Sequence, residues 1–193
     1  IYYLNGRLEI DNQLCENNFI GNWEEEDDSI LFFASSADRQ IEKLLHRQPH
    51  LKYVASYRMP YDHWLGEKFS TFELGTFRII PLWEIPQDSI ETFSHKLQIL
   101  LDPGLVFGTG THPTTRDCLE AIILAAGSMD ISSVVDFGTG TGLLALAAAR
   151  LGCKRIVGVD LNLLAAKTAR RNVQLNGLED RIVIVQGRAE DLI

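Results

Sequence analysis

VVDFGTGTGLLALAAA, residues 134–149, decides the fold. An apolar run ends at Asp136, glycines follow at Gly138, Gly140 and Gly142, and an Ala/Leu-rich segment comes next. The run reads as a buried strand, and the segment after it as a helix over 143–151 ended by Gly152. Glycines in such a junction let the backbone turn sharply and approach a ligand closely. The helix start presents unpaired N–H groups and a partial positive charge, worth about 0.3–1 kcal/mol to a ligand carboxylate.

Downstream, 156–159 and 182–185 read as strands, separated by a helix over 163–175 that ends at Asn176-Gly177. Upstream, a helix is expected over 113–126. Short β-branched strands alternating with helices predict an α/β fold with a parallel sheet. The strands are apolar throughout, so both faces of that sheet are expected to be covered. Further upstream, 98–101 is a short strand running into Asp102-Pro103-Gly104, and 86–93 is a polar loop. Residues 69–83 read as a hairpin with Gly75 near its turn, and 61–67 as a connection.

Residues 1–64 read as a small α+β unit. Strands over 19–23 and 29–34 flank the acidic run 24–28. Ser36 is expected to cap a helix over 37–47 that Pro49 ends. Leu51, Tyr53, Ala55, Tyr57 and Met59 recur at every second position, the pattern of a half-buried strand. The acidic run reads as a solvated turn, with contact to a basic protein as its alternative.

Asp160 ends the strand that follows the glycine loop. A carboxylate there can accept both hydroxyls of a ribose, at about 1.5–3 kcal/mol for each charged hydrogen bond. Glycine loop and acidic strand end together specify a nucleoside-containing ligand at the carboxyl edge of the sheet. The dinucleotide fingerprint G-x-G-x-x-G/A has Leu143 at its last position here, which counts against NAD and FAD without removing them. A glycine turn that only packs a helix on a strand is the other alternative.

The spacing G-x-G-x-G after an acid resembles the first motif of class I S-adenosylmethionine-dependent methyltransferases. The segment 172–177 resembles the helix-to-turn segment of the same superfamily. That resemblance implies that Asp136, Thr139 and the backbone of Gly138, Gly140 and Gly142 face the methionine moiety. It implies that Asp160 takes the ribose, that Leu161 lies beside the adenine, and that Glu190 or Asp191 lies near the adenine amino group.

A second loop is more specific. DPGLVFGTGTHPTT, residues 102–115, combines glycines, hydroxyls and His112, then enters a helix with Pro113 at its first position. Thr111, Thr114 and Thr115 offer hydroxyls to a cofactor carboxylate or a substrate. This string resembles the signature of the PrmA family of ribosomal protein methyltransferases. FELGTFRIIPLW, residues 72–83, resembles that family's entry to its catalytic domain, with Pro81 and Trp83 in place.

The resemblance implies a Rossmann-like class I methyltransferase domain over 65–193. A small α+β domain over 1–64 would hold the substrate. It also implies methyl transfer to amino groups of protein eleven of the large ribosomal subunit, with S-adenosylmethionine as cofactor and the cytoplasm as location. Thr115, Gly138 and Asp160 match cofactor-binding positions, and Thr111 is counted with them as a cofactor-binding residue. His112 is the one histidine with a case for a catalytic role, against an equal case as a helix cap or loop-packing residue. No general base stands out.

A complete sheet of this class needs four strands beyond the three read here, so the C-terminal part of the domain is expected to be missing. The strand over 134–137 would then be an open edge. Ile1 is not an initiator residue, so the N-terminus reads as trimmed. A non-catalytic relative, or a paralogue acting on another substrate, is the alternative function.

Bulk properties agree with this reading. The 193 residues carry a formal net charge of −8, which disfavours direct nucleic-acid binding. No apolar run approaches the roughly 20 residues of a membrane span. Cys15, Cys118 and Cys153 form no paired spacing, so neither a disulfide framework nor a zinc site is indicated. His46 and His50 have Pro49 between them, which argues against a metal pair.

Overall fold

A computed structural model describes residues 1–10, 14, 18–60, 69–85 and 95–192, without the side chains of 191 and 192. The readings for 61–67 and 86–93, and Cys15, lie outside the described residues. The chain divides into two compact units, Ile1–Trp64 and Leu65–Ile193.

The first unit is an antiparallel sheet with one helix. Its strands β1 (Tyr2–Asn5), β2 (Phe19–Glu25), β3 (Asp28–Phe33) and β4 (Lys52–Ser56) lie in the order β2-β3-β1-β4. Helix α1 (Asp38–Arg47) buries Ile41 and Leu44 in a core with Tyr2, Leu4, Leu31 and Leu51.

Two expectations are corrected here, and the inner strand β1 is an element that the sequence pattern does not announce. Ser36 does not cap α1: Ala37 is the N-cap residue and gives no side-chain bond, while the Ser36 hydroxyl donates to Asp38 Oδ2 (2.7 Å). The Tyr2 hydroxyl fixes this helix start instead. It accepts from the Ala37 amide (2.8 Å) and donates to Asp38 Oδ1 (2.7 Å). Finally, β4 is not half-buried, because Tyr53, Tyr57 and Met59 are exposed. It is an edge strand paired with β1 alone, across a register shift between Tyr3 and Leu4.

The acidic run is not merely solvated. Asp28 accepts from the Tyr3 hydroxyl and from Asn5 Nδ2, and Glu24 accepts from Asn22 Nδ2 and the Ser29 hydroxyl. The Tyr3 and Asn5 bonds hold the Asp28 carboxyl below its ordinary value.

The second unit contains two three-stranded sheets with helices between them. In one, β5 (Phe72–Leu74) and β6 (Phe77–Pro81) form a hairpin turning at Gly75, and β7 (Leu97–Leu101) runs parallel to β6. In the other, β8 (Ser133–Phe137), β9 (Arg155–Asp160) and β10 (Ile182–Gln186) are parallel, in the order β10-β9-β8. Helices α2 (Pro113–Ser128), α3 (Leu143–Arg150) and α4 (Leu163–Leu175) complete the unit.

Ala145, Leu146, Ala147, Ala148 and Ala149 of α3 are all buried, as an apolar helix sandwiched between two sheets requires. One core joins Phe77, Ile79, Ile99 and Leu101 of the first sheet to Ile156, Ile182 and Ile184 of the second. The expectation of a parallel sheet covered on both faces is corrected. Val135, Phe137 and Val183 are exposed, on the face opposite Val134, Ile182 and Ile184. Among the described residues no helix is long and apolar enough to cross a membrane.

The register places Gly158 of β9 opposite Asp136 and Ile184 on its two neighbours. A Cβ at Gly158 would lie 2.6 Å from Ile184 Cδ1 and 2.9 Å from Thr139 Oγ1. The isoleucine tip can swing, but the Thr139 hydroxyl is held by Asp136 (2.7 Å). Gly158→Ala is therefore expected to lose about 1–3 kcal/mol, about 2–12 °C in Tm for a domain of this size. Thermal unfolding checks this, and an unshifted midpoint contradicts the packing.

Candidate functional site

The turn after β8 is held to β9. The Gly138 and Thr139 amides both donate to the Val159 carbonyl (2.8 and 3.0 Å). The Gly140 amide donates to Asp160 Oδ2 (2.9 Å), while Oδ1 of the same carboxylate accepts from the Asn162 amide (2.9 Å). Asn162 in turn caps α4, accepting from the Leu164 and Ala165 amides (2.7 and 3.2 Å). Asp160 thus ties the glycine turn to the start of the next helix. Leu161 beside it is exposed.

The glycines of the turn have different reasons to be glycine. All three adopt left-handed φ, at 70° for Gly138, 55° for Gly140 and 82° for Gly142. A Cβ on Gly140 would lie 2.4 Å from the Phe107 carbonyl oxygen, and one on Gly142 would lie 3.2 Å from Ala169 Cβ. A Cβ on Gly138 would meet nothing within 4 Å, so the turn opens to space there.

The second glycine loop lies on the first. The Thr141 amide donates to the Phe107 carbonyl (3.1 Å), and the Thr141 hydroxyl to the Gly108 carbonyl (2.6 Å). Gly110 abuts both Leu143 and the Phe72 ring, and Arg116 lies over that ring while its Nε donates to the Gly110 carbonyl (3.0 Å).

His112 is the N-cap residue of α2. Its Nδ1 accepts from the Thr114 amide and bonds the Thr114 hydroxyl (2.8 Å), and its ring packs edge-on against Phe107. The Thr111 hydroxyl bonds that of Thr109 (2.8 Å), and Thr115 is buried in the first turn of α2. The structure thus joins Asp136, Thr139, Gly138, Gly140 and Asp160 in one bonded cluster. Thr111, His112 and Thr115 stand at the end of the loop that covers it. Glu190 is exposed beyond β10.

Burial pushes the Asp136 carboxyl above its ordinary value, and the nearby Asp160 adds to this. The Thr139 hydroxyl and the Ala145 amide pull the other way. A raised carboxyl holds its proton longer in the folded state than in the unfolded one. Its contribution is therefore favourable at low pH and is lost as pH rises from the usual carboxylate range through the raised value. Asp136→Asn is expected to flatten this dependence and to leave the ligand-free protein at least as heat-stable as wild type at pH 7. An Asn oxygen can keep the Ala145 amide while its NH2 faces Thr139. Tm measured across pH 4–8 checks the sign; a variant that is less stable at every pH contradicts it.

The sequence assigns no role to Thr141 or Asn162, and Asn172 reads only as the start of the 172–177 segment. All three are buried or capping polar residues whose partners are backbone groups, which no residue spacing announces. Among the described residues no group of three or more His, Cys, Asp or Glu is arranged to hold a metal ion.

These three parallel strands, with glycine turn and acidic strand end at their carboxyl edge, are those of a Rossmann-like class I methyltransferase domain. The crystal structure of a ribosomal protein L11 methylase from Lactobacillus delbrueckii subsp. bulgaricus superposes with a TM-score of 0.52 at 34% identity. It covers 62% of this chain and 58% of that one. The family model for ribosomal protein L11 methyltransferase (PrmA) matches residues 16–192. The chain belongs to that family. The ribosomal protein L11 methyltransferase of Mannheimia succiniciproducens is 36% identical over 170 residues, which is 83% of this chain and 55% of the relative. That of Anoxybacillus flavithermus is 44% identical over 115 residues, 60% of this chain and 35% of the relative. The chain spans about half the length of the first of these curated relatives.

Proposed function

We propose that the protein is an S-adenosylmethionine-dependent methyltransferase acting on amino groups, of lysine or the N-terminus, in ribosomal protein L11. The observation that carries this is the bonded cluster of Asp160 and the two glycine loops, in a chain of this family. A ribosomal substrate puts the reaction in the cytoplasm. The unit Ile1–Trp64 serves as the domain that holds the substrate.

The residues fit the cofactor. Open space stands over Gly138, a carboxylate with unused lone pairs stands at Asp160, and the apolar Leu161 is exposed beside it. S-adenosylmethionine, when bound, supplies a methyl group on a positively charged sulfur. Asp136 sets a buried carboxyl beneath the turn, Thr139 holds that carboxyl in place, and the backbone of Gly138, Gly140 and Gly142 leaves room for the methionine moiety. Thr111 offers a hydroxyl from the covering loop, and Thr115 one from the first turn of α2. Asp160 accepts the ribose hydroxyls, and Leu161 covers the adenine.

Little covalent chemistry falls to the protein. Orientation of amine and methyl group can supply roughly 7–11 kcal/mol. The attacking amine must be neutral, and a free lysine titrates near 10.4, so a dry site that disfavours the ammonium form assists. His112 uses Nδ1 to cap α2, so it contributes as a fixed part of the loop.

Calorimetry of the intact protein with S-adenosylmethionine, followed by mass spectrometry of ribosomal protein L11 after incubation with both, tests the reading. Cofactor uptake with a gain of methyl groups on L11 is expected. Uptake without transfer favours a non-catalytic relative, and absence of uptake overturns the site.

A further inference from the structure

We propose that Asn172 is a positioning residue for the cofactor site, holding both glycine loops in their binding geometry from the C-terminal half of α4. Its side chain is wholly buried (0% exposed) and fully engaged. Nδ2 donates to the Asp102 carbonyl and to the Thr141 carbonyl, both at 2.8 Å, and Oδ1 accepts from the Asp102 amide at 2.8 Å. Asp102 opens the second glycine loop, and Thr141 lies within the first. One amide therefore grips both loops.

Thr141, also 0% exposed, completes the junction from the other side through its bonds to Phe107 and Gly108. The Phe107 carbonyl is the group that a Cβ on Gly140 would strike. A shift of Asn172 thus reaches Thr141 through a hydrogen bond, Gly140 through the adjoining peptide bond, and the Asp160 carboxylate through the Gly140 amide.

The neighbouring Asn176 shows which part of this is only structural. Its Nδ2 donates to the Leu100 carbonyl (2.7 Å) and its Oδ1 accepts from the Leu100 amide (3.0 Å). Four helical residues rise about 6.0 Å, close to the roughly 6.6 Å between alternate residues of a strand. Asn172 and Asn176 therefore match Asp102 and Leu100, and together take the place of a neighbouring strand along the outer side of β7. This role the two share. The bond to Thr141 belongs to Asn172, while the other Nδ2 bond of Asn176 goes to the Asn172 carbonyl (2.8 Å) within the helix. Each truncation leaves groups unpaired, buried ones of Asp102 and Thr141 for Asn172 and part-buried ones of Leu100 together with Arg150 Nη2 for Asn176, so both destabilise, but one of them alone releases the loops.

The proposal rests on the cofactor reading above, and the experiment separates the two. Asn172→Ala and Asn176→Ala are made in the intact protein. Adenosylhomocysteine affinity is titrated well below both unfolding midpoints, and amide exchange is followed without ligand. The expected result is a loss of affinity of about tenfold or more for Asn172→Ala and less than threefold for Asn176→Ala, with Tm lowered in both. Faster exchange over 104–110 and 138–142 is expected in Asn172→Ala alone. Equal affinity losses in the two variants, or wild-type affinity and exchange in Asn172→Ala, overturn the proposal. If Asn172→Ala does not fold, Thr141→Val removes the Gly108 bond from the same junction while keeping its shape; it should weaken binding at least fivefold, and unchanged affinity overturns the proposal. Failure of the wild-type protein to bind adenosylhomocysteine refutes the cofactor reading, and the exchange comparison still decides whether Asn172 holds the loops.

Discussion

Gly140→Ala is expected to unfold the site rather than merely fill it. Two effects add. The left-handed φ of 55° costs an alanine about 1–2 kcal/mol. Its Cβ would also stand 2.4 Å from the Phe107 carbonyl oxygen, a backbone atom that cannot rotate away. One loop must move, and with it go the Thr141 bonds to Phe107 and Gly108, worth about 0.5–1.5 kcal/mol each. A total near 2–5 kcal/mol follows, roughly 4–20 °C in Tm. Affinity for an adenosyl ligand should fall below detection, because the Gly140 amide no longer meets Asp160.

Gly138→Ala supplies the contrast. Its added Cβ meets nothing within 4 Å, so only the φ penalty applies, about 1–2 kcal/mol. That variant should stay folded and still bind poorly, since the methyl group enters the space proposed for the ligand. Thermal unfolding and calorimetry of both proteins check the pair. A Gly140→Ala protein as stable as wild type contradicts the loop junction.

The two loops differ from the rest of the chain in how openly the sequence declares them. Gly138, Gly140 and Gly142 sit between an apolar strand and an Ala-rich helix, so strand, turn and helix are all specified by local composition. Asp160 is legible because β9 ends where its apolar run ends. The N-terminal unit is less legible, since its order comes from contacts far apart in the chain. Tyr2 and Asp38 fix the start of α1 across thirty-six residues, and Ser36, the residue with the right local chemistry, does another job. The alternation from Leu51 to Met59 is a true strand signal, but it does not say that the strand lies at an edge, where alternate residues on both sides meet solvent. The same ignorance of neighbours hides Gly158, whose need for a missing side chain arises from Ile184 and Thr139 on adjacent segments. Asn172 reads as one more polar helix residue until its backbone partners seventy positions away are known.

The second large effect is expected at Asp160. Its carboxylate already holds Gly140 and Asn162 without a ligand, so removing it acts twice. In Asp160→Ala the two amides lose their acceptor, which loosens both the turn and the start of α4, and no group remains to accept ribose hydroxyls. Charged hydrogen bonds contribute about 1.5–3 kcal/mol each, so losing two from the bound complex weakens the ligand by roughly 10²–10⁴-fold. Asp160→Asn separates the two roles. Its single amide oxygen can keep the Gly140 bond, while its NH2 stands where a second acceptor is needed. Asn should therefore restore only part of the lost stability, since its NH2 opposes the Asn162 amide, and little of the lost affinity. Adenosine and adenosylhomocysteine, titrated in parallel into wild type and both variants, locate the loss. A shared nucleoside loss of the same factor for both ligands is expected. Unaltered affinity in Asp160→Ala, with methyl transfer persisting in the intact protein, would show that the ribose sits elsewhere.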